Sequence, residues 1–179
     1  MTIDDKDILR MLASAETRRK AFGLMVSQYS EQLYWKIRHL VVYHDDADDV
    51  LQNVFVKAWL NLDHFKGESK VSTWLYRIAI NESLDFLRRQ KAVVSADGDL
   101  YDARHLMADN YFDGDRTEAL LQEAIATLPE MQRTVFVMRY YDDMKYADIS
   151  AVLGRTEGAL KANYHLAAQK ISEYIKKHG

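Results

Sequence analysis

Apolar residues recur at three- and four-residue steps over most of the 179-residue chain. From Phe22 the series runs through Met25, Tyr29, Leu33, Ile37, Leu40 and Val41, the stripe of one long amphipathic helix. His44-Asp45-Asp46 interrupts the series and offers an N-cap for a second helix. There Val50, Val54 and Ala58 share one face, with Leu51 and Phe55 beside it. Asn61 to Lys70 carries no stripe and reads as a loop. Ser72 or Thr73 can cap a third helix, with Trp74, Leu75, Ile78, Ala79 and Phe86 as its apolar face. Arg88-Arg89-Gln90-Lys91 closes it with the cations that a helix C-terminus favours.

Periodicity is lost over 93–116, where Asp97, Gly98, Asp99, Asp102, Asp109, Asp113, Gly114 and Asp115 accumulate. A structureless loop of that length is uncommon inside one domain, so a boundary is expected here. Domains over 1–92 and 117–179 then flank a flexible acidic linker, which fixes the position of neither. After the linker, Leu120, Leu121, Ala124 and Ile125 mark a short helix, and Leu128-Pro129 marks a restart, with Pro129 in the first turn of the next helix. That helix carries Val135, Phe136 and Met138 and ends at Tyr140-Tyr141-Asp142-Asp143. A short helix over 146–153, Gly154, and a last helix from about Glu157 to Lys177 give a helix-turn-helix pattern.

Composition supports an all-α fold of two small helical domains. One Pro and seven Gly are too few punctuators for a sheet protein with many tight turns. The absence of Cys excludes disulfides and thiolate chemistry. No apolar run suits a membrane span, and the acidic start has no signal-peptide core, so a soluble, cytoplasmic protein is expected. The net charge of −3 gives no global nucleic-acid signal. Its distribution matters more: 1–91 sums to +1, 92–116 to −4 and 117–179 to zero, while 155–179 holds five cations against two anions. Phosphates are neutralised locally, within about a Debye length.

Three stretches are candidates for chemistry. In the helix-turn-helix, Gly154 suits a positive φ, and Ile149, Leu153 and Leu160 would pin the two helices together. Arg155, Thr156, Glu157, Lys161, Asn163, Tyr164 and His165 then lie near the start of the second helix, where such motifs meet base edges and phosphates. The alternative is a plain helical hairpin with a solvated face. Asp46, Asp48 and Asp49 suit a helix start by dipole and capping alone. Gln52, Asn53 and Phe55 one turn on make an odd polar–aromatic surface unless something binds there. Finally Phe65, Lys66, Lys70, Ser72, Thr73, Tyr76, Arg77, Asn81, Arg88 and Arg89 interleave aromatic and cationic groups, which suits single-stranded DNA. Within this stretch Trp74 and Ile78 belong to the core, and Tyr76, Arg77 and Asn81 to the surface.

No catalytic constellation appears. His39, His44, His64, His105, His165 and His178 lack metal-ligand spacing, and there is no Gly-rich phosphate loop or nucleophile elbow. No catalytic residue, metal, cofactor or small-molecule substrate is expected.

Together these stretches resemble the extracytoplasmic-function (ECF) group of bacterial sigma-70 factors, over nearly the whole chain. Asp46-Ala47-Asp48-Asp49-Val50-Leu51-Gln52-Asn53-Val54-Phe55-Val56-Lys57-Ala58-Trp59 resembles the family's polymerase-binding segment. Phe65-Lys66-Gly67-Glu68-Ser69 with Val71-Ser72-Thr73-Trp74-Leu75-Tyr76-Arg77-Ile78-Ala79-Ile80-Asn81 resembles its promoter-melting segment. Leu128-Pro129-Glu130-Met131-Gln132-Arg133-Thr134-Val135-Phe136 and the helix-turn-helix resemble its C-terminal domain.

The resemblance implies a dissociable initiation subunit rather than an enzyme. Asp46, Asp48, Asp49, Gln52, Asn53 and Phe55 would meet core RNA polymerase at the clamp helices of its largest subunit, with a further contact to the flap. The loop and helix from Phe65 to Arg89 would recognise and open the −10 element, with Asn81 lining a pocket for one flipped base. The linker would thread toward the RNA exit path, and the last helix would read the −35 element. An anti-sigma partner is implied, which could hold the chain at the inner membrane. One departure stands out: Lys161, Asn163, Leu166 and Ala168 occupy places where the family commonly has several Arg, and Ser150 replaces a small apolar residue. Weak binding to free DNA and an unusual −35 sequence follow. Two rivals remain: a stand-alone helix-turn-helix regulator, which leaves 46–59 and 65–81 unexplained, and a helical adaptor with no nucleic-acid role.

Overall fold

The structure is a computed structural model that describes residues 2–94, 106–110 and 112–179. All regular structure among these residues is helical. The first group of helices is α1 (Asp5–Leu12), α2 (Arg18–Val41), α3 (His44–Leu60), a 3-10 turn over Leu62–His64, and α4 (Val71–Val94). The second is α5 (Arg116–Ala126), α6 (Glu130–Tyr140), α7 (Tyr146–Leu153) and α8 (Glu157–His178).

In the first group α2, α3 and α4 pack pairwise, and α1 lies along α2. The expected stripes face inward: Met25, Tyr29, Leu33 and Ile37 from α2 meet Val50, Val54 and Ala58 from α3 and Leu75, Ala79 and Ile80 from α4. Lys57 of α3 and the buried Glu82 of α4 form an ion pair that ties these two helices. In the second group α6 is enclosed, with every residue from Arg133 to Met138 buried, because α7 and α8 cover it and α2 reaches it from the first group.

Two helix starts differ from the sequence pattern. The break before α3 falls at Val42-Tyr43, so His44, Asp45 and Asp46 form its first turn rather than a cap. Val42 has φ 77° and ψ −51°, and the Tyr43 N–H donates to the Val41 carbonyl at 3.0 Å, a γ-turn of the rare strained hand. A β-branched residue holds this conformation because its side chain is buried with Leu106 and Ala119, between Tyr43 and Phe112. The second difference lies at α4, which begins at Val71, so Ser72 and Thr73 lie inside its first turn. The cap comes instead from α1: Asp5 Oδ2 accepts from the Val71 N–H at 2.9 Å while Oδ1 accepts from the Tyr29 hydroxyl at 3.0 Å. Burial, and then the Asp5 carboxylate, raise the Tyr29 phenol above its ordinary value.

Direct contact holds the two groups together. The apolar core runs unbroken from one to the other, with α2 against α6 and α4 against α7. This contact, and not the linker, sets their arrangement in the structure. The acidic stretch 95–105 and Tyr111 lie outside the described residues. Residues 106–110, which are described, are docked: Leu106 is buried beside Val42, and Asp109 pairs with Arg38 at 3.1 Å.

Asp5→Ala removes acceptors from a helix N-terminus and a buried phenol together, and should cost about 2 kcal/mol. The neighbouring Asp4, whose side chain caps nothing, should change stability by under about 0.5 kcal/mol on substitution with Ala. Denaturant unfolding of the two variants checks the contrast.

Candidate nucleic-acid and protein interfaces

The outer face of α3 is anionic at its start and apolar at its end. Asp45, Asp49, Gln52 and Asn53 are exposed, followed by Val56 at 58% and Leu60 at 69% exposure. The 3.6-residue repeat places these positions along one side of the helix. Val56, Trp59 and Leu60 were not among the expected interface residues; apolar types off the buried Val50-Val54-Ala58 stripe were the available signal. Asp46 is half-buried, and its carboxyl sits above the ordinary range because of burial first and the charges of Asp49 and Asp45 next. Asp48 pairs with His44 at 3.3 Å. Phe55 is half-buried, meets Phe22 edge-on at 6.3 Å and packs on the core.

The loop before α4 keeps Lys66 and Lys70 exposed. Phe65 stacks on Trp74 at 4.5 Å and packs on the core, and so serves the loop's shape. Ser72 and Thr73 are half-buried, while Asn81, Arg88 and Arg89 are exposed. Tyr76 requires a correction. It is 5% exposed, not a surface residue, because the second group covers it. Its hydroxyl donates to Asp142 Oδ2 at 2.6 Å, and burial together with that carboxylate pushes the phenol well above its ordinary value. Lys36 Nζ lies 4.3 Å from the Tyr76 ring centre. Arg77 donates to the Ala151 carbonyl at 3.2 Å. Arg88 grips Glu130 through Nε at 2.9 Å and Nη2 at 2.5 Å, and this raises its already high value.

The helix-turn-helix forms as its residues dictate. Gly154 adopts φ 65° and ψ 33°, and its N–H donates to the Ser150 carbonyl at 2.9 Å. Ile149 and Leu160 are fully buried between α7 and α8, and Leu153 packs against them. Ser150 fastens the turn by donating to the Arg155 carbonyl at 2.6 Å, which accounts for a hydroxyl at that position. Thr156 is the N-cap of α8, accepting from the Ala159 N–H at 3.2 Å, so that side chain is committed to helix formation. Arg155, Glu157, Lys161 and His165 are exposed. Lys161 Nζ lies 5.6 Å from the Tyr146 ring centre, and Arg139 covers the same ring at 4.8 Å. Asn163 Nδ2 donates to the Ala159 carbonyl of its own helix. Tyr164 is half-buried, stacks on Phe136 at 5.5 Å and packs on the core.

An acidic-to-apolar helix face, a basic helix behind a cationic loop, and a helix-turn-helix, in that order, define a class: a helical protein that joins a large partner to DNA. The comparisons agree. Residues 25–93 match the Sigma-70 region 2 family and residues 118–171 match Sigma-70, region 4. The chain is 30% identical to the RNA polymerase sigma-H factor of Pseudomonas aeruginosa over 169 residues, 88% of each chain. It is 29% identical to the ECF RNA polymerase sigma factor SigW of Bacillus subtilis, over 87% of this chain and 89% of that one. Its fold is similar to that of CnrH, solved in complex with the cytosolic domain of CnrY, with a TM-score of 0.71, 24% identity and coverage of 98% and 99%. It is also similar to RpoE of Bartonella quintana, solved with the anti-sigma factor NepR, at TM-score 0.65, 22% identity and coverage of 88% and 98%. The chain belongs to the sigma-70 family, in its ECF group, and is a promoter-directing transcription initiation factor whose partners are core RNA polymerase and promoter DNA.

Two glycines of the helix-turn-helix should respond to alanine with opposite sign. A methyl group at either position would point into open space. Gly154→Ala forces a side chain into the left-handed region and should cost about 1 kcal/mol. Gly158→Ala, inside α8, should stabilise by about 0.5–1 kcal/mol. Thermal unfolding of both variants tests this.

Proposed function

We propose that residues 1–92 form the unit that docks polymerase and opens the −10 element, that 93–116 connect it to the rest, and that 117–179 read the −35 element. The polymerase surface is the outer side of α3: Asp49, Gln52 and Asn53 meet cationic and polar groups of the clamp helices, and Val56 and Leu60 extend the contact with apolar area. Asp46 and Asp48 support this surface by their charge. Phe55 acts from inside, fixing the helix. Burial, and then the charges of Asp49 and Asp45, raise the Asp46 carboxyl, and a cationic partner would favour its charged form.

The −10 surface is Lys66, Lys70, Arg77, Asn81, Arg88 and Arg89. The cations meet phosphate, and Asn81 lines a pocket for an unstacked base. Ser72, Thr73, Phe65 and Tyr76 shape the loop and helix that carry them. The −35 surface is Arg155, Glu157, Lys161 and His165, with Asn163 one turn further along α8. Few cations lie there, so affinity for isolated duplex DNA is low and selection operates within the polymerase complex.

Among the described residues no helix is long and apolar enough to cross a membrane. Cytoplasmic action, no enzymatic activity, and control by an anti-sigma factor complete the reading. The structural neighbours solved with CnrY and NepR support that last element.

The observation that carries this reading is the uninterrupted exposed face of α3 ahead of a formed helix-turn-helix. Transcription with core polymerase on a promoter library tests it. Asp49→Lys should weaken core binding about tenfold with the fold intact, and Lys161→Ala should weaken −35 recognition. Asn81→Ala should slow promoter opening more than initial binding, read by permanganate reactivity. Unchanged core affinity in the Asp49 variant, or equal footprints for the Lys161 variant, would remove the respective role. A tight, specific gel shift without polymerase would instead favour the stand-alone regulator.

A further inference from the structure

Leu160, Ala167 and Ile171 of α8 are buried against the rest of the second group, so the opposite side of that helix faces outward. At 3.6 residues per turn the outward side carries Gly158, Ala162, His165, Leu166 and Gln169, all of them exposed. Leu166 is the large apolar side chain among them and is 45% exposed. A leucine scattered on a surface needs no explanation. This one lies on the face that a helix-turn-helix presents to the major groove. A methyl group at Gly158 would meet no atom of the chain, so nothing in the molecule stands between this face and a duplex.

The charged groups stand to the sides. Arg155 precedes the helix. Lys161 leans toward α7, with Nζ 5.6 Å from the Tyr146 ring centre. Glu157 shares the flank of Lys161, in the first turn, where the helix dipole favours an anion. Lys170 lies on the other flank. Cations so placed reach phosphates along the edges of a groove. Asn163 is half-buried and donates its amide to the Ala159 carbonyl, so it is turned from the groove. Guanine is most often read by Arg or Lys on its O6 and N7, and the middle of this face holds neither. It offers methyl groups instead, and the apolar feature of the major groove is the C5 methyl of thymine.

We infer that α8 selects thymine in the −35 element by apolar contact: Ala162 and Leu166 pack on C5 methyl groups, while Arg155 and Lys161 hold the flanking phosphates. The two side chains are about 6 Å apart along the helix axis, so they meet neighbouring base pairs rather than one. The element this chain prefers is therefore a patch of A·T pairs, with no gain from guanine at the position Leu166 meets. The inference deepens the −35 role proposed for α8 and rests on it.

The full chain, bound to core polymerase, tests this on a promoter library randomised over the −35 box. Thymine should be enriched at neighbouring positions. In an enriched promoter, deoxyuridine in place of a contacted thymine removes only the methyl group and should weaken promoter binding about fourfold. Leu166→Ala should lose that sensitivity at one position while keeping its affinity for core polymerase. Leu166→Arg should change the base enriched at the same position from thymine to guanine. Suppose a −35 preference exists and responds to Lys161→Ala, but deoxyuridine has no effect at any thymine of the box. That result overturns the apolar contact and leaves the −35 role of α8 standing. Guanine enriched by the unsubstituted chain at the position that Leu166→Ala alters does the same. No enrichment anywhere in the box removes the −35 role and the inference with it. Weaker binding of Leu166→Ala to core polymerase assigns this leucine to a protein contact and overturns the inference.

Discussion

The arrangement of this molecule depends on one buried carboxylate. Asp142 leaves the end of α6 and enters the first helix group, where Tyr76 donates to one of its oxygens and Lys36 and His39 stand close by. A buried anion is costly unless paired and hydrogen-bonded, so Asp142 is stable there only while these partners surround it. Separating the groups would return the carboxylate to water and leave Tyr76 exposed. Such a contact specifies one docking geometry without binding the groups irreversibly.

The same logic runs through the rest of the boundary. Arg133 satisfies a terminal carbonyl of α2, Arg88 and Glu130 form a fork, and Arg38 meets Asp109. Polar contacts of this kind exchange for water or for another polar partner at modest net cost. The interior of each group is different in character. Val50, Val54 and Ala58, or Ile149 and Leu160, are apolar and fully enclosed or nearly so. Burial at about 25 cal/mol per Å2 keeps each group's shape while the boundary between them can reorganise.

Local features were legible in the sequence to the extent that their causes are local. The stripes on α2 and α3 followed from a 3.6-residue period, and the turn at Gly154 from the one residue type that adopts positive φ without penalty. Features with distant causes were not. Tyr76 reads as surface from its neighbours, and its burial comes from a partner 66 positions away. Asp5 caps α4 across a similar separation. Val42 has the wrong side chain for its backbone by every local rule and is held by residues beyond α4. Phe55, Phe65 and Tyr164 read as surface residues because aromatic side chains serve stacking platforms and cores alike. The apolar end of the α3 face was the missed signal closest to hand, since Val56 and Leu60 fall off the buried stripe.

The roles proposed for the α3 face, for α4 and for the helix-turn-helix form one device only if the boundary between the groups opens when polymerase arrives. Hydrogen exchange on the full chain, free and bound to core polymerase, measures this most directly. The expected result is slower exchange along α3 from Asp49 to Leu60 together with faster exchange at Tyr141–Asp143 and the start of α7. Protection that stayed unchanged on α3, or a boundary that became more protected in the complex, would contradict it.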